Sequence, residues 1–165
     1  MKVPVGASPD EKRIWNLLAG VPDPEIPVLS IVDLGIVRWV RATGNGTTVG
    51  IAPTYTGCPA TEVIAATVVS HLSKNGVTAR IEQVLAPPWT TDWISDSGRD
   101  KLRAYGITPP AGSAKRSLIA GELAIACPRC ASTETEKVSE FGSTPCKASY
   151  KCGECLEPFE YFKCI

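Results

Sequence analysis

Two cysteine knuckles, Cys127-Pro-Arg-Cys130 and Cys152-Gly-Glu-Cys155, constrain this chain more than any other feature. Two thiolates three positions apart on a tight turn can take two corners of a tetrahedron, and a second knuckle supplies the other two. Twenty-one residues separate Cys130 from Cys152, close to the spacing of roughly 15–20 in paired-knuckle zinc modules. The residues between fit such a module. Thr135 to Phe141 alternates like a strand, Gly142-Ser143 reads as a turn, and Tyr150 with Phe159 to Phe162 supplies a further hairpin. A tail of this size buries little apolar surface, so one structural zinc on Cys127, Cys130, Cys152 and Cys155 would replace much of the missing core. Thiolate sets also hold iron–sulfur centres, and that alternative stays open. Cys146 and Cys164 are left over, as core residues or as alternative metal ligands. No export signal is evident, which disfavours disulfides.

The rest of the chain has a different character. Only Cys58 of the seven cysteines precedes the tail; all four Trp lie before residue 94 and all three Phe after residue 140. Two cores are the simplest reading: an α+β domain over 1–108, a linker over 109–119 carrying Pro109, Pro110 and Gly112, and a zinc ribbon over 120–165. The 17 Lys+Arg balance 17 Asp+Glu, which leaves no basic footprint for nucleic acid. No apolar run approaches the roughly 20 residues that cross a bilayer. Met1 to Asp10 lacks the apolar core of a secretory signal. These readings place the chain in the cytoplasm, without a membrane or nucleic-acid partner.

In the first domain, Ser8-Pro9-Asp10-Glu11 predicts a helix start, with Ser8 as N-cap and Glu11 completing a capping box. Ile14, Leu17 and Leu18 form an inward stripe that Gly20 ends. Three prolines make Val21 to Pro27 an extended loop, and Ser30 to Leu34 begins either a helix or a turn. Ile36 to Val40 and Thr47 to Ile51 read as paired strands around Gly44-Asn45-Gly46. Pro59 to Lys74 is a helix with Ile64, Val68 and Leu72 four apart, stopped by Asn75-Gly76. Val77 to Leu85 returns as a strand, and Trp89 to Tyr105 gives one or two short helices broken at Ser97-Gly98. The order α-β-β-α-β-α makes a small sandwich. Trp and aliphatic positions around Pro87 to Ile94 read as exposed and point to a homodimer.

Cys58 is the first-domain residue suited to chemistry. It lies between Gly57 and Pro59 at a helix start, where backbone N–H groups and the helix dipole favour a thiolate. Thr54 and Thr56 can donate hydroxyl hydrogen bonds to the same place, and Gly57 lets the backbone approach a ligand. The competing reading is a small buried side chain at a tight turn. Asp23, Glu25 and Asp33 are expected as turn residues and caps rather than catalytic carboxylates. The chain carries no Glu-x-x-His di-iron pair, no Gly-rich dinucleotide loop and no Ser/His/Asp set; with one His, most acid–base schemes are closed to it.

Asp23-Pro-Glu-Ile-Pro-Val-Leu-Ser-Ile-Val-Asp-Leu-Gly-Ile-Val37, Thr54-Tyr-Thr-Gly-Cys-Pro59 and Pro87-Pro-Trp-Thr-Thr-Asp-Trp-Ile94 resemble the small α+β domain of iron–sulfur assembly factors of the SufT type. Joined to a tail containing Phe141-Gly-Ser-Thr-Pro-Cys-Lys147 and Glu157-Pro-Phe-Glu-Tyr-Phe-Lys163, that domain resembles the PaaD family, accessory components of the bacterial phenylacetyl-CoA ring-1,2-epoxidase. In that oxygenase the di-iron component performs the chemistry and a reductase delivers electrons. The resemblance implies a non-catalytic maturation factor in aerobic phenylacetate degradation, with the other epoxidase components as partners and transient iron or an Fe–S cluster as cargo. It also implies that Cys58 matches the reactive cysteine of the assembly domain. The alternative is a structural subunit or electron-transfer component with a redox-active Fe–S centre in the tail.

Overall fold

The computed structural model describes residues 4–44, 46–55, 57–110 and 124–163. They fall into two compact units, Met1–Trp89 and Thr90–Ile165.

The first unit opens with α1, Pro9–Leu18. Its start is the expected capping box: Glu11 N–H donates to Ser8 Oγ at 3.2 Å and Ser8 N–H to Glu11 Oε2 at 2.8 Å, which satisfies two amides that have no partner inside the helix. Ile14, Trp15 and Leu18 face inward. Leu17 is only half-buried, so Trp15 takes the place expected for it. The loop that follows is held by its own side chains. Asp23 Oδ1 accepts from Glu25 N and Ile26 N at 2.9 and 2.8 Å. Asp33 Oδ2 accepts from Ser30 Oγ at 2.9 Å, while Ser30 Oγ accepts from Asp33 N at 3.0 Å. Both aspartates are buried and serve as turn caps, and Ser30 to Leu34 is a turn rather than a helix.

Strands β1 (Val37–Thr43) and β2 (Gly46–Ile51) form an antiparallel hairpin; its residue Asn45 lies outside the described residues. Helix α2 (Ala60–Lys74) then crosses over to β3 (Ala79–Gln83), which runs parallel to β2. A parallel neighbour needs such a crossover. The sheet order is β1-β2-β3. Ile64, Val68 and Leu72 are buried as their spacing predicts; with Leu18, Leu29, Ile31, Val49 and Ile51 they form the sealed core. Each such side chain contributes about 1.5–3 kcal/mol by leaving water.

The second unit begins with a 3-10 turn, Thr91–Trp93, and α3, Asp96–Ala104. The break between them falls at Ile94-Ser95, not at Ser97-Gly98. Ser95 Oγ accepts from Gly98 N at 3.0 Å, and that cap starts the helix and draws Gly98 inside it. Ile107–Thr108 forms β4, followed by β5 (Thr135–Ser139), β6 (Lys147–Cys152) and β7 (Pro158–Phe162), in the order β4-β7-β6-β5. β4 runs parallel to β7, and its Thr108 Oγ1 donates to Ala126 O at 2.8 Å. These bonds group residues 90–108 with the tail, whereas the sequence reading put them with the first domain. Most of the expected linker lies outside the described residues.

The segment Pro87 to Ile94 also departs from expectation. Trp89 and Ile94 are each only 4% exposed, and Trp89 Nε1 donates to Leu34 O at 2.9 Å. Two of the apolar side chains expected on the surface are therefore core, while Trp93 is half-buried and Pro87, Pro88 and Asp92 remain exposed.

Candidate functional site

The knuckles face each other across the end of the β5-β6-β7 sheet. Cys127 N donates to Ser132 O at 2.8 Å, and Ala131 N to Cys127 O at 2.9 Å, closing the first knuckle. Cys152 ends β6; Cys152 N donates to Glu157 O at 3.0 Å and Gly153 N to Glu134 O at 2.7 Å, closing the second. Each knuckle leaves through a left-handed residue, Ala131 and Leu156, both with φ of 62°. A Cβ on Gly153 would lie 3.2 Å from Glu134 O, so the close approach of this knuckle to the first chain segment favours glycine.

The result is a group of four thiols, Cys127, Cys130, Cys152 and Cys155, with all sulfurs within 4.8 Å of one another. Cys127 and Cys155 Sγ lie 3.7 Å apart, Cys130 and Cys152 Sγ 3.6 Å. A tetrahedron with metal–sulfur bonds of about 2.3 Å has edges of about 3.8 Å. The donor set therefore fits a single ion. A multi-iron cluster interposes irons and sulfides between its ligands and spreads them further apart. Around the four, Ile125, Phe159, Tyr161 and half-buried Tyr150 form a small apolar cluster, with Tyr150 stacked on Phe159 at 5.8 Å.

The protons on these thiols are held unequally. Hydrogen bonds to Cys152 from the backbone of Cys155, and then of Glu154, outweigh burial and bring its pKa down to about 7. At Cys155 the largest influence, the Glu157 backbone, also pulls downward. Burial and hydrogen bonds with Cys130, Cys152 and Cys127 outweigh it and push the thiol up to about 12. Cys130 is raised as well. Of these three, Cys152 gives up its proton most readily, and a cation among the sulfurs would favour the anions of Cys130 and Cys155.

Cys58 lies in the other unit. Gly57, at φ of 80°, turns the chain in a way that disfavours a side chain. Cys58 N donates to Tyr55 O at 3.2 Å, and Cys58 O accepts from Thr61 N at 3.2 Å. Pro59 is the N-cap of α2 and brings no side-chain cap. The thiol is 9% exposed and accepts from Thr54 Oγ1 at 3.8 Å. Thr54 thus contacts the Cys58 sulfur and Gly57 immediately precedes it; Thr56, expected beside them, lies outside the described residues.

Cys146 is buried just before β6, its sulfur 3.0 Å from Thr144 Oγ1, and does not join the four-thiol group. Cys164 lies outside the described residues. The sequence reading missed a polar knot beside Cys146. Lys147, 3% exposed, pairs with Glu160 Oε2 at 2.8 Å and donates to Ser143 Oγ at 2.5 Å, while Glu160 Oε1 accepts from Ser143 N at 2.5 Å. Its only signal was a lysine followed by alternating residues, a pattern that more often faces water. Among the described residues no helix is long and apolar enough to cross a membrane.

A family model described as "PaaD zinc beta ribbon domain" matches residues 111–163, and one described as "Iron-sulfur cluster assembly protein" matches residues 11–85. A protein of Escherichia coli (strain K12), provisionally named as one of the subunits of 1,2-phenylacetyl-CoA epoxidase, is 51% identical over 160 residues, covering 96% of each chain. A solved domain of unknown function (DUF59) from Bacillus anthracis is 30% identical, with a TM-score of 0.52, over 56% of this chain and 90% of its own. A conserved hypothetical protein of Thermotoga maritima is 26% identical over 61% of this chain and 98% of its own, with a TM-score of 0.47.

Proposed function

Because the chain belongs to the PaaD family of epoxidase components, with an accessory role in phenylacetate degradation, we propose that it is a non-catalytic maturation factor of the multicomponent phenylacetyl-CoA epoxidase. It works in the cytoplasm and helps an iron or iron–sulfur centre into another component of the system. Cys58 handles the cargo, and the tail, built on one structural zinc held by Cys127, Cys130, Cys152 and Cys155, docks the client.

The observation that carries this reading is the seat of Cys58. In a segment matched by an iron–sulfur assembly model, its thiol stands beside a hydroxyl donor on a turn that Gly57 makes possible, at the start of α2. Zinc in the tail is supported by the single-ion spacing of the four thiols; there it would supply folding energy rather than chemistry. The other reading, an electron-transfer component with a redox-active tail, is favoured by the same four cysteines but needs an iron centre there. Metal analysis and visible absorbance of anaerobically purified protein separate the two. One zinc and no colour are expected; a brown, reducible tail would favour the second reading.

The functional test is Cys58→Ser. This change should leave the fold and the tail metal intact while lowering the iron content of the client and the epoxidase activity of cells that carry only the variant. Full client loading in those cells would reduce Cys58 to a packed core residue. Homodimer formation is also part of the proposal, through a surface other than the Pro87 to Ile94 segment, whose Trp89 and Ile94 are buried.

A further inference from the structure

We propose that the open edge of β3 is a self-pairing surface: two copies join antiparallel through β3, centred on Ile81, into one continuous six-stranded sheet. The inference does not rest on the maturation role.

The ladder sets which groups are offered. Thr47 N donates to Thr78 O at 3.2 Å and Val84 N to Ile51 O at 2.8 Å. In a parallel pair this alternation turns the even-numbered residues of β3 toward β2 and leaves the N–H and C=O of Ala79, Ile81 and Gln83 on the far side. Among the described residues no strand pairs there.

Folds usually blunt such edges, and the other sheet edges among the described residues are blunted. β1 carries a register shift between Val37 and Trp39, and its Ala42 N–H is taken by Glu11 Oε1 at 3.4 Å. β5 carries a shift between Lys137 and Ser139, and β4 has two residues. β3 keeps five consecutive partners on β2 without a shift, so it is regular and straight enough to template another strand.

Its side chains are self-complementary. Antiparallel pairing about Ile81 sets Arg80 opposite Glu82 of the second copy, and Glu82 opposite its Arg80. Both positions fall in non-hydrogen-bonded pairs, where side chains approach most closely. Arg80 and Glu82 are exposed. The same register sets Ala79 opposite Gln83, and it faces Leu85, 67% exposed, toward half-buried Val77. The two-fold axis passes between the Ile81 residues, as an isologous interface requires.

Sedimentation of the full chain over about 5–500 µM tests this, with charge reversals to read the register. The wild type should dimerise. Arg80→Glu and Glu82→Arg should each weaken association about tenfold or more, because each sets like charges opposite one another twice. The double reversal should restore the dimer. An equimolar mixture of the two single variants should pair as a heterodimer, since one copy is then acidic at both positions and the other basic. That recovery also shows that both variants are folded. A wild type that stays monomeric, even if another epoxidase component binds the edge, would overturn the proposal. So would a dimer indifferent to the reversals, or a mixture that fails to recover.

Discussion

Cys152 and Cys155 sit on one turn, yet the first thiol is brought down to about 7 and the second pushed up to about 12. The difference is one of order. Backbone N–H groups stabilise the first anion, and that anion opposes the next. Metal uptake must therefore displace protons, and affinity falls as pH falls. Below about 7 the Cys152 thiol is protonated, so the slope of log affinity against pH should steepen by one proton there; competition with a chromophoric chelator from pH 6 to 8.5 would measure it. The four-thiol group was legible because knuckle spacing is a local property. The seat of Cys58 was legible in part: Gly57 and Pro59 announce a turn into a helix, but its 9% exposure depends on what packs over that turn. Gly50 shows the opposite case. A Cβ there would stand inside the Trp39 indole, which lies across the hairpin from it and under the Arg41 guanidinium at 4.1 Å. Gly50→Ala should cost about 1–3 kcal/mol by forcing that ring away, seen as a lower urea midpoint. Nothing beside Gly50 in sequence signals the ring above it.

At the scale of elements, helices were read with most success, because caps and apolar spacing lie within a few residues. The box at Ser8 and Glu11 and the stripe Ile64, Val68 and Leu72 needed no distant partner. The short helices after Trp89 were misdivided, since Ser97-Gly98 looks like a breaker until Ser95 is seen to cap the turn that contains it. Strand pairing depends more on distance along the chain. The β6–β7 pair illustrates this: it is fastened where Lys147, Glu160 and Ser143 converge. Lys147 and the Ser143 backbone and hydroxyl outweigh the desolvation of Glu160, so its carboxyl lies below the ordinary range. A depressed folded-state value means stabilisation that is fully present above the unfolded value of about 4.5 and lost as pH falls through the folded one. Glu160→Gln should lower stability by about 1–3 kcal/mol at neutral pH, because nearly buried Lys147 loses its anion. The gap from wild type should close toward pH 3. Chemical denaturation at both pH values checks it.

For the whole molecule, the grouping of residues 90–108 with the ribbon makes a prediction the sequence reading would not have made. Cys127→Ala removes one of four ligands, and a three-thiolate tail should lose its fold together with α3 and β4. Limited proteolysis of the variant should leave a resistant fragment ending near Trp89, whereas independence of the tail would leave one ending near Thr108. By itself the sequence determined that there are two differently built parts, that one brings four cysteines to the spacing of a single-ion site, and that a cysteine stands at the start of a central helix. Those are matters of residue type and short spacing, which physical chemistry reads without knowing where the chain goes. Tertiary structure alone decided that Ile107–Thr108 pairs with a strand some fifty residues later, that the Trp89 and Ile94 side chains are sealed rather than exposed, and that β3 is the edge left regular. Each is an encounter between segments far apart in the chain, and neither period nor composition encodes which encounter wins.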